Sequence, residues 1–164
     1  MIINGIALLD AAPIVDMVPG KMVGPGGTSF GLGEAGYDIR IKQEICFYAG
    51  DEGRRVIVQG KSNLGGRFTL ASAKDEFQMP DDLVGIVHDK STWARRGLSV
   101  FNTVVEPGWK GFLTLELVYH GEDELVIPAG SGIAQVIFHR TSQPAQYKGK
   151  YQGQADEPVE AIDS

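Results

Sequence analysis

The sequence predicts an all-β fold, a distorted barrel of short strands with one or two short helices, on three observations. Short runs rich in β-branched and aromatic residues recur along the chain, separated by Gly, Pro or Asp turns at the spacing of sandwiches and barrels. Glycine, at 22 of 164 residues, is well above its usual share, so many turns are implied. No amphipathic stretch longer than about two helical turns lies between the runs. The length suits one well-buried domain, taken as residues 1–154, followed by a mobile acidic C-terminal tail at 155–164.

Taken in order, Asn4 is placed to cap a short helix over residues 4–10. Residues 18–36 are dense in glycine and proline and read as a long loop. Within it, Gly31-Leu32-Gly33-Glu34-Ala35-Gly36 has the spacing of a dinucleotide-binding turn, which requires a strand before it and a helix after it. The next residues, Tyr37–Lys42, alternate apolar and polar side chains and form a strand, so the cofactor reading fails. Further strands are expected at Arg55–Gln59, Arg67–Ala73, Leu83–Asp89, Leu98–Val105, Gly111–Tyr119, Glu124–Ile127 and Ile133–His139.

Charge and cysteine content narrow the function. A net charge of −6 and a pI near 5.0 disfavour a protein that grips nucleic acid through a broad basic face. Cys46, the only cysteine, is read as a small buried thiol in a strand, and no intrachain disulfide is possible. The N-terminus has no basic segment and no long apolar run, so a cytoplasmic protein is expected.

Two segments carry chemistry. His88-Asp89-Lys90-Ser91-Thr92-Trp93-Ala94-Arg95-Arg96-Gly97 gathers cations and hydroxyls at the start of a short helical stretch, which suits a phosphate group. Alternatively, Ser91 and Thr92 merely cap a helix while Arg95 and Arg96 are solvated. In the strand Gly111–Tyr119, Leu113, Leu115, Leu117 and Tyr119 share one face, and Phe112, Thr114, Glu116 and Val118 the other. Glu116 either points to water or, if that face is covered, is desolvated and fit for proton transfer near neutral pH.

With Gly36-Tyr37-Asp38-Ile39-Arg40, Lys90–Gly97, Glu106-Pro107-Gly108-Trp109-Lys110-Gly111 and Gly130-Ser131-Gly132-Ile133-Ala134-Gln135, the chain resembles the dCTP deaminase / dUTPase family from Gly36 to Gln154. The resemblance implies a dUTPase-like (β-clip) fold and a homotrimer with active sites shared between subunits. Thr114-Leu115-Glu116 resembles the strand that carries the deaminase glutamate. Lys150-Tyr151-Gln152-Gly153-Gln154 resembles the deaminase segment that closes on the nucleotide, and both favour the deaminase branch. The chain departs from the well-known bacterial type in carrying Asn102-Thr103-Val104 where Ala-His-Arg is usual, Lys90 where many relatives have arginine, and Glu106 in place of aspartate.

The implied function is zinc-independent deamination of dCTP to dUTP and ammonia in pyrimidine deoxynucleotide metabolism, feeding dTTP precursor supply, with continuation to dUMP left open. Zinc deaminases need a His/Cys ligand set, and one Cys with the scattered His88, His120 and His139 does not supply it. The resemblance gives Glu116 the proton transfers, and Ser91 and Arg95 the orientation of water and the stabilisation of developing charge. Lys90, Thr92, Asn102, Glu106, Trp109, Gln135, Lys150, Tyr151 and Gln154 are the expected nucleotide-binding residues. Mg²⁺ is expected on the triphosphate, without a protein cage. Asp38 is read as a structural anchor, and Trp109 as a core residue or a platform for the sugar. Two other functions stay open: a dUTP diphosphatase that activates water through Glu106, and a non-catalytic nucleotide sensor.

Overall fold

The computed structural model describes residues 1–51, 53–64, 66–101 and 103–163, with the backbone alone for 61–64. In chain order the elements are β1 (Ile2–Ile3), α1 (Gly5–Ala11), β2 (Lys21–Val23), β3 (Ser29–Leu32), β4 (Tyr37–Arg40), β5 (Ile45–Gly50) and β6 (Gly53–Val58). There follow β7 (Lys61–Leu64), β8 (Phe68–Gln78), β9 (Leu83–Asp89), α2 (Ser91–Ala94), β10 (Leu98–Val100) and β11 (Val104–Val105). The last are β12 (Lys110–Tyr119), β13 (Leu125–Ile127) and β14 (Gly132–Arg140). The all-β expectation holds, and the two helices are a seven-residue segment and a single turn.

The strands form three sheets. One runs β11-β9-β14-β4-β3-β2 with β1 also on β14, the second β10-β12-β8, and the third β13-β5-β6-β7. An isolated bridge between Ile41 and Ala73 joins the first sheet to the second. The inward residues of β12, Leu115 and Leu117, meet Ile39, Ile41, Phe77 and Phe138 in one continuous core. Burial on this strand follows the period-two pattern read from the sequence except at Thr114, which is buried although it shares the face of Glu116. None of the described helices is long and apolar enough to cross a membrane.

Several boundaries differ from the sequence reading. The stretch 18–36 is not a single loop, because β2 and β3 lie within it around a 3₁₀ turn at Pro25–Gly27. Gly31 explains the misreading: its φ is +95°, and a Cβ there would stand 2.3 Å from the Gly20 carbonyl oxygen, so this glycine serves close strand approach and not a flexible turn. Leu98–Val105 divides into β10 and β11, which join different sheets, and β8 runs on to Gln78. Asn4 stands at the N-cap of α1, but its side chain donates to the Glu34 carbonyl (2.8 Å) instead of capping the helix. β5 holds Cys46 half-buried, and desolvation raises its thiol pKa.

Candidate active site

A cavity of about 840 Å³ opens between β8, β12, the segment 103–109 and the C-terminal segment. Its floor is the outward face of β12, which presents Thr114 and Glu116 side by side as the parity argument requires. Glu116 lies opposite Leu70 on β8, and its carboxylate Oε2 is buried without a hydrogen-bond partner. Burial pushes the Glu116 carboxyl above its ordinary pKa, an effect only partly offset by a hydrogen bond from backbone. The covered-face alternative therefore describes this residue, and the water-facing one does not.

Glu106, Trp109, Tyr151 and Gln154 line the same cavity, so five of the expected residues, counting Glu116, meet in one place. Trp109 is 5% exposed, packs against Phe77 with ring centroids 5.9 Å apart, and donates through Nε1 to the Tyr151 carbonyl at 2.7 Å. It thereby belongs to the core and to the cavity wall together. Gln154 docks on Gly111, where the Phe112 N–H donates to the Gln154 carbonyl at 3.1 Å. A Cβ on Gly111 would stand 2.6 Å from the Gln154 nitrogen, so glycine here makes room for the returning chain.

Beyond Gln154 the acidic segment runs back across the cavity. Lys42 Nζ holds both the carboxylate (2.6 Å) and the carbonyl of Asp156, the Val159 N–H donates to Thr114 Oγ1 at 3.1 Å, and the Ile162 N–H donates to the Tyr151 hydroxyl at 3.2 Å. Pro158 and Val159 are half-buried against the opening. Lys150 does not face the cavity; its ammonium donates to the Ile162 carbonyl and lies 5.4 Å from the Tyr151 ring centroid. Sequence reasoning missed Thr114 and Val159 as a pair, although Thr114 shares the Glu116 face and was open to the same parity argument.

The cationic turn lies elsewhere on the chain. Ser91, Thr92 and Arg95 are exposed and line no part of this cavity, and Arg96 stacks over the Trp93 ring at 5.0 Å. Lys90 is tied down, with Nζ 2.5 Å from Asp38 Oδ2 and 3.0 Å from Ser29 Oγ. Gln135, on β14, pairs with Asp38 and with His88 across the sheet. Asn102 lies outside the described residues. None of the described residues lining the cavity is Lys, Arg or His, whereas Glu106, Glu116 and Glu160 all line it. Among the described residues no group of three or more His, Cys, Asp or Glu side chains is placed to hold a metal ion.

The fold and the sequence have known counterparts. The backbone superimposes on the EIAV dUTPase with a TM-score of 0.51 at 18% identity, covering 73% of this chain and 87% of that one. It also superimposes on the 2'-deoxycytidine 5'-triphosphate deaminase of Agrobacterium tumefaciens with a TM-score of 0.56 at 14% identity, covering 86% of this chain and 48% of that one. These two place the chain in the dUTPase-like fold. A dCTP deaminase-like family model matches residues 26–141. The dCTP deaminases of Campylobacter curvus and Acidobacterium capsulatum are 36% and 33% identical to the chain, each alignment covering 82% of it and 82% and 83% of the respective relatives. The chain belongs to the dCTP deaminase-like family.

Proposed function

We propose that this protein is a hydrolase that deaminates dCTP to dUTP and ammonia, with Glu116 as its acid and base. The observation that carries the reading is the buried, unpartnered Glu116 carboxyl in a cavity large enough for a nucleoside, in a chain of this family. A carboxyl whose pKa is raised by burial holds its proton more readily and can give it to N3 of cytosine. The resulting carboxylate takes a proton from a water molecule as the hydroxide bonds to C4. Glu116 then returns the proton to the 4-amino group, the C4–N bond breaks, and ammonia leaves. The C4 hydroxyl gives up its proton to Glu116 as the carbonyl forms, so the carboxyl ends as it began.

The assignments of Ser91 and Arg95 rest on the same reading. The tetrahedral centre needs hydrogen-bond donors, and the triphosphate needs cations, but the described lining of the Glu116 cavity offers carboxylates and no cation. The exposed turn with Ser91, Thr92 and Arg95 is the natural donor, supplied by a neighbouring copy in a homotrimer with shared sites. Tyr151 and Gln154, already on the cavity wall, contact base and sugar, and Trp109 backs the sugar. The substrate is taken as its magnesium complex, in which the ion would be held by the phosphate oxygens and would balance their charge.

Glu106 lines the same wall as Glu116, which keeps a second activity in view, the hydrolysis of dUTP to dUMP by water activated at Glu106. Incubation with dCTP and with dUTP, each with Mg²⁺, and separation of nucleotides, ammonia and pyrophosphate tests both. Release of dUTP and ammonia from dCTP alone supports the deaminase, and dUMP from dCTP marks the two activities combined. Consumption of dUTP alone, abolished by Glu106→Gln and spared by Glu116→Gln, would overturn it. Binding without turnover of either nucleotide would mark a sensor.

A further inference from the structure

We infer that Asp38 is a positioning residue for the cationic turn at 90–97, and that Lys90 serves this turn from beneath, as the other half of a buried ion pair, instead of reaching the triphosphate. Lys90 Nζ lies 2.5 Å from Asp38 Oδ2, with side-chain exposures of only 12% and 5%. The Ser29 hydroxyl joins the pair, 3.0 Å from Lys90 Nζ and 2.9 Å from the same carboxylate oxygen. A lysine held by a carboxylate and a hydroxyl within the protein has little charge or donor capacity left for a ligand.

The pair is one of two bolts on the turn. Lys90 is the N-cap of α2, and its carbonyl accepts the N–H groups of Trp93 and Ala94 at 3.0 Å each. Trp93, 1% exposed, donates through Nε1 to the Gly132 carbonyl at 2.7 Å, and Thr28 Oγ1 donates to the same carbonyl at 2.9 Å. Lys90 thus roots the turn in β3 and β4, and Trp93 roots it in β14. With both fixed, Ser91, Thr92 and Arg95 project outward from a rigid base. The phosphate charge then falls to Arg95 and its neighbours, and the exchange of arginine for lysine at position 90 loses no ligand contact.

The significance for catalysis rests on the proposed nucleotide chemistry; the ion pair itself does not. Lysine acylation footprinting of the whole protein, read by mass spectrometry, scores the pair with and without dCTP. Lys90 is expected to label at least tenfold more slowly than exposed Lys148 in both states, and Asp38→Asn is expected to remove that protection. Labelling of Lys90 as fast as Lys148 until dCTP protects it would overturn the inference, as would protection that survives Asp38→Asn. In steady-state assays the double variant D38N/K90M, which leaves no buried charge but removes the bolt, is expected to lower kcat for dCTP by about tenfold with its KM within about threefold of wild type, the mark of a displaced turn and not of a lost ligand contact. A tenfold rise in KM with an unchanged Tm would make Lys90 a ligand contact and sink the idea. If the double variant does not fold, labelling of the wild type decides. Absence of dCTP turnover by the wild type would defeat the functional reading alone, because labelling without nucleotide still scores the pair.

Discussion

Glu116→Gln tests the chemistry through stability and activity together. The substitution keeps the side-chain shape and removes the charge. In the wild type an ionised Glu116 folds against its own desolvation, since Oε2 is buried with no partner. An unsatisfied buried polar atom costs about 1–3 kcal/mol, and the residue is half-buried, so we take the lower end, about 1 kcal/mol. For a chain of this size about 1 kcal/mol moves Tm by about 2–4 °C. The folded-state pKa lies above the ordinary value of 4.5, so the folded protein holds the proton more tightly than the unfolded chain does. Wild-type stability therefore falls as pH rises from the ordinary carboxylate range through the elevated pKa, and the glutamine variant lacks that loss. Melting at fixed protein concentration is expected to show E116Q matching the wild type near pH 4.5 and exceeding it by about 2–4 °C at pH 8. Its kcat for ammonia release from dCTP is expected to fall by about 10²–10⁴-fold. A Tm difference that does not grow between pH 5 and pH 8, or a kcat within about tenfold of wild type, would refute the reasoning.

In the proposed mechanism Glu116 donates a proton first, so kcat/KM for dCTP is expected to decline as pH rises through its elevated pKa; a flat profile across that range would separate the residue from the rate. Removal of residues 155–164 uncovers the cavity and is expected to lower kcat/KM while leaving the urea midpoint nearly unchanged. Thr114→Val, which loses the bond from Val159, is expected to weaken closure by about 1 kcal/mol, a rise of roughly fivefold in KM. Gly132→Ala would put a Cβ 1.8 Å from the Ser29 carbonyl oxygen and is expected to yield no soluble folded protein; normal expression and melting would contradict the packing described. Arg40→Met breaks a pair in which the guanidinium lies 2.6 Å from Asp75 and leaves the buried carboxylate with the backbone N–H of residue 40 but no cation. It is expected to cost about 3–5 kcal/mol in urea denaturation, much of it restored by adding Asp75→Asn, which removes the charge and keeps an acceptor for that N–H.

What could be read in the sequence divides along a physical line. Period-two alternation in β12 gave both the buried face and the site face, because each strand residue faces one side or the other regardless of what lies far away. The same logic found β9 to the residue, and it failed at β2 and β3, where glycine serves close backbone approach instead of a turn. Lys90 shows the limit more sharply. Its place among hydroxyls and arginines argued for phosphate, but its actual neighbours, Asp38 and Ser29, lie 52 and 61 residues away in sequence, and local composition carries no trace of them. The charges of the site are divided in the same way. Glu116 and its acidic neighbours line a cavity whose described residues include no cation, while Arg95 stands exposed on the turn that Lys90 anchors, away from that lining. Carboxylates that must meet a polyphosphate need cations from somewhere, so the division of charge within one chain is itself the reason to expect that a second chain completes the site.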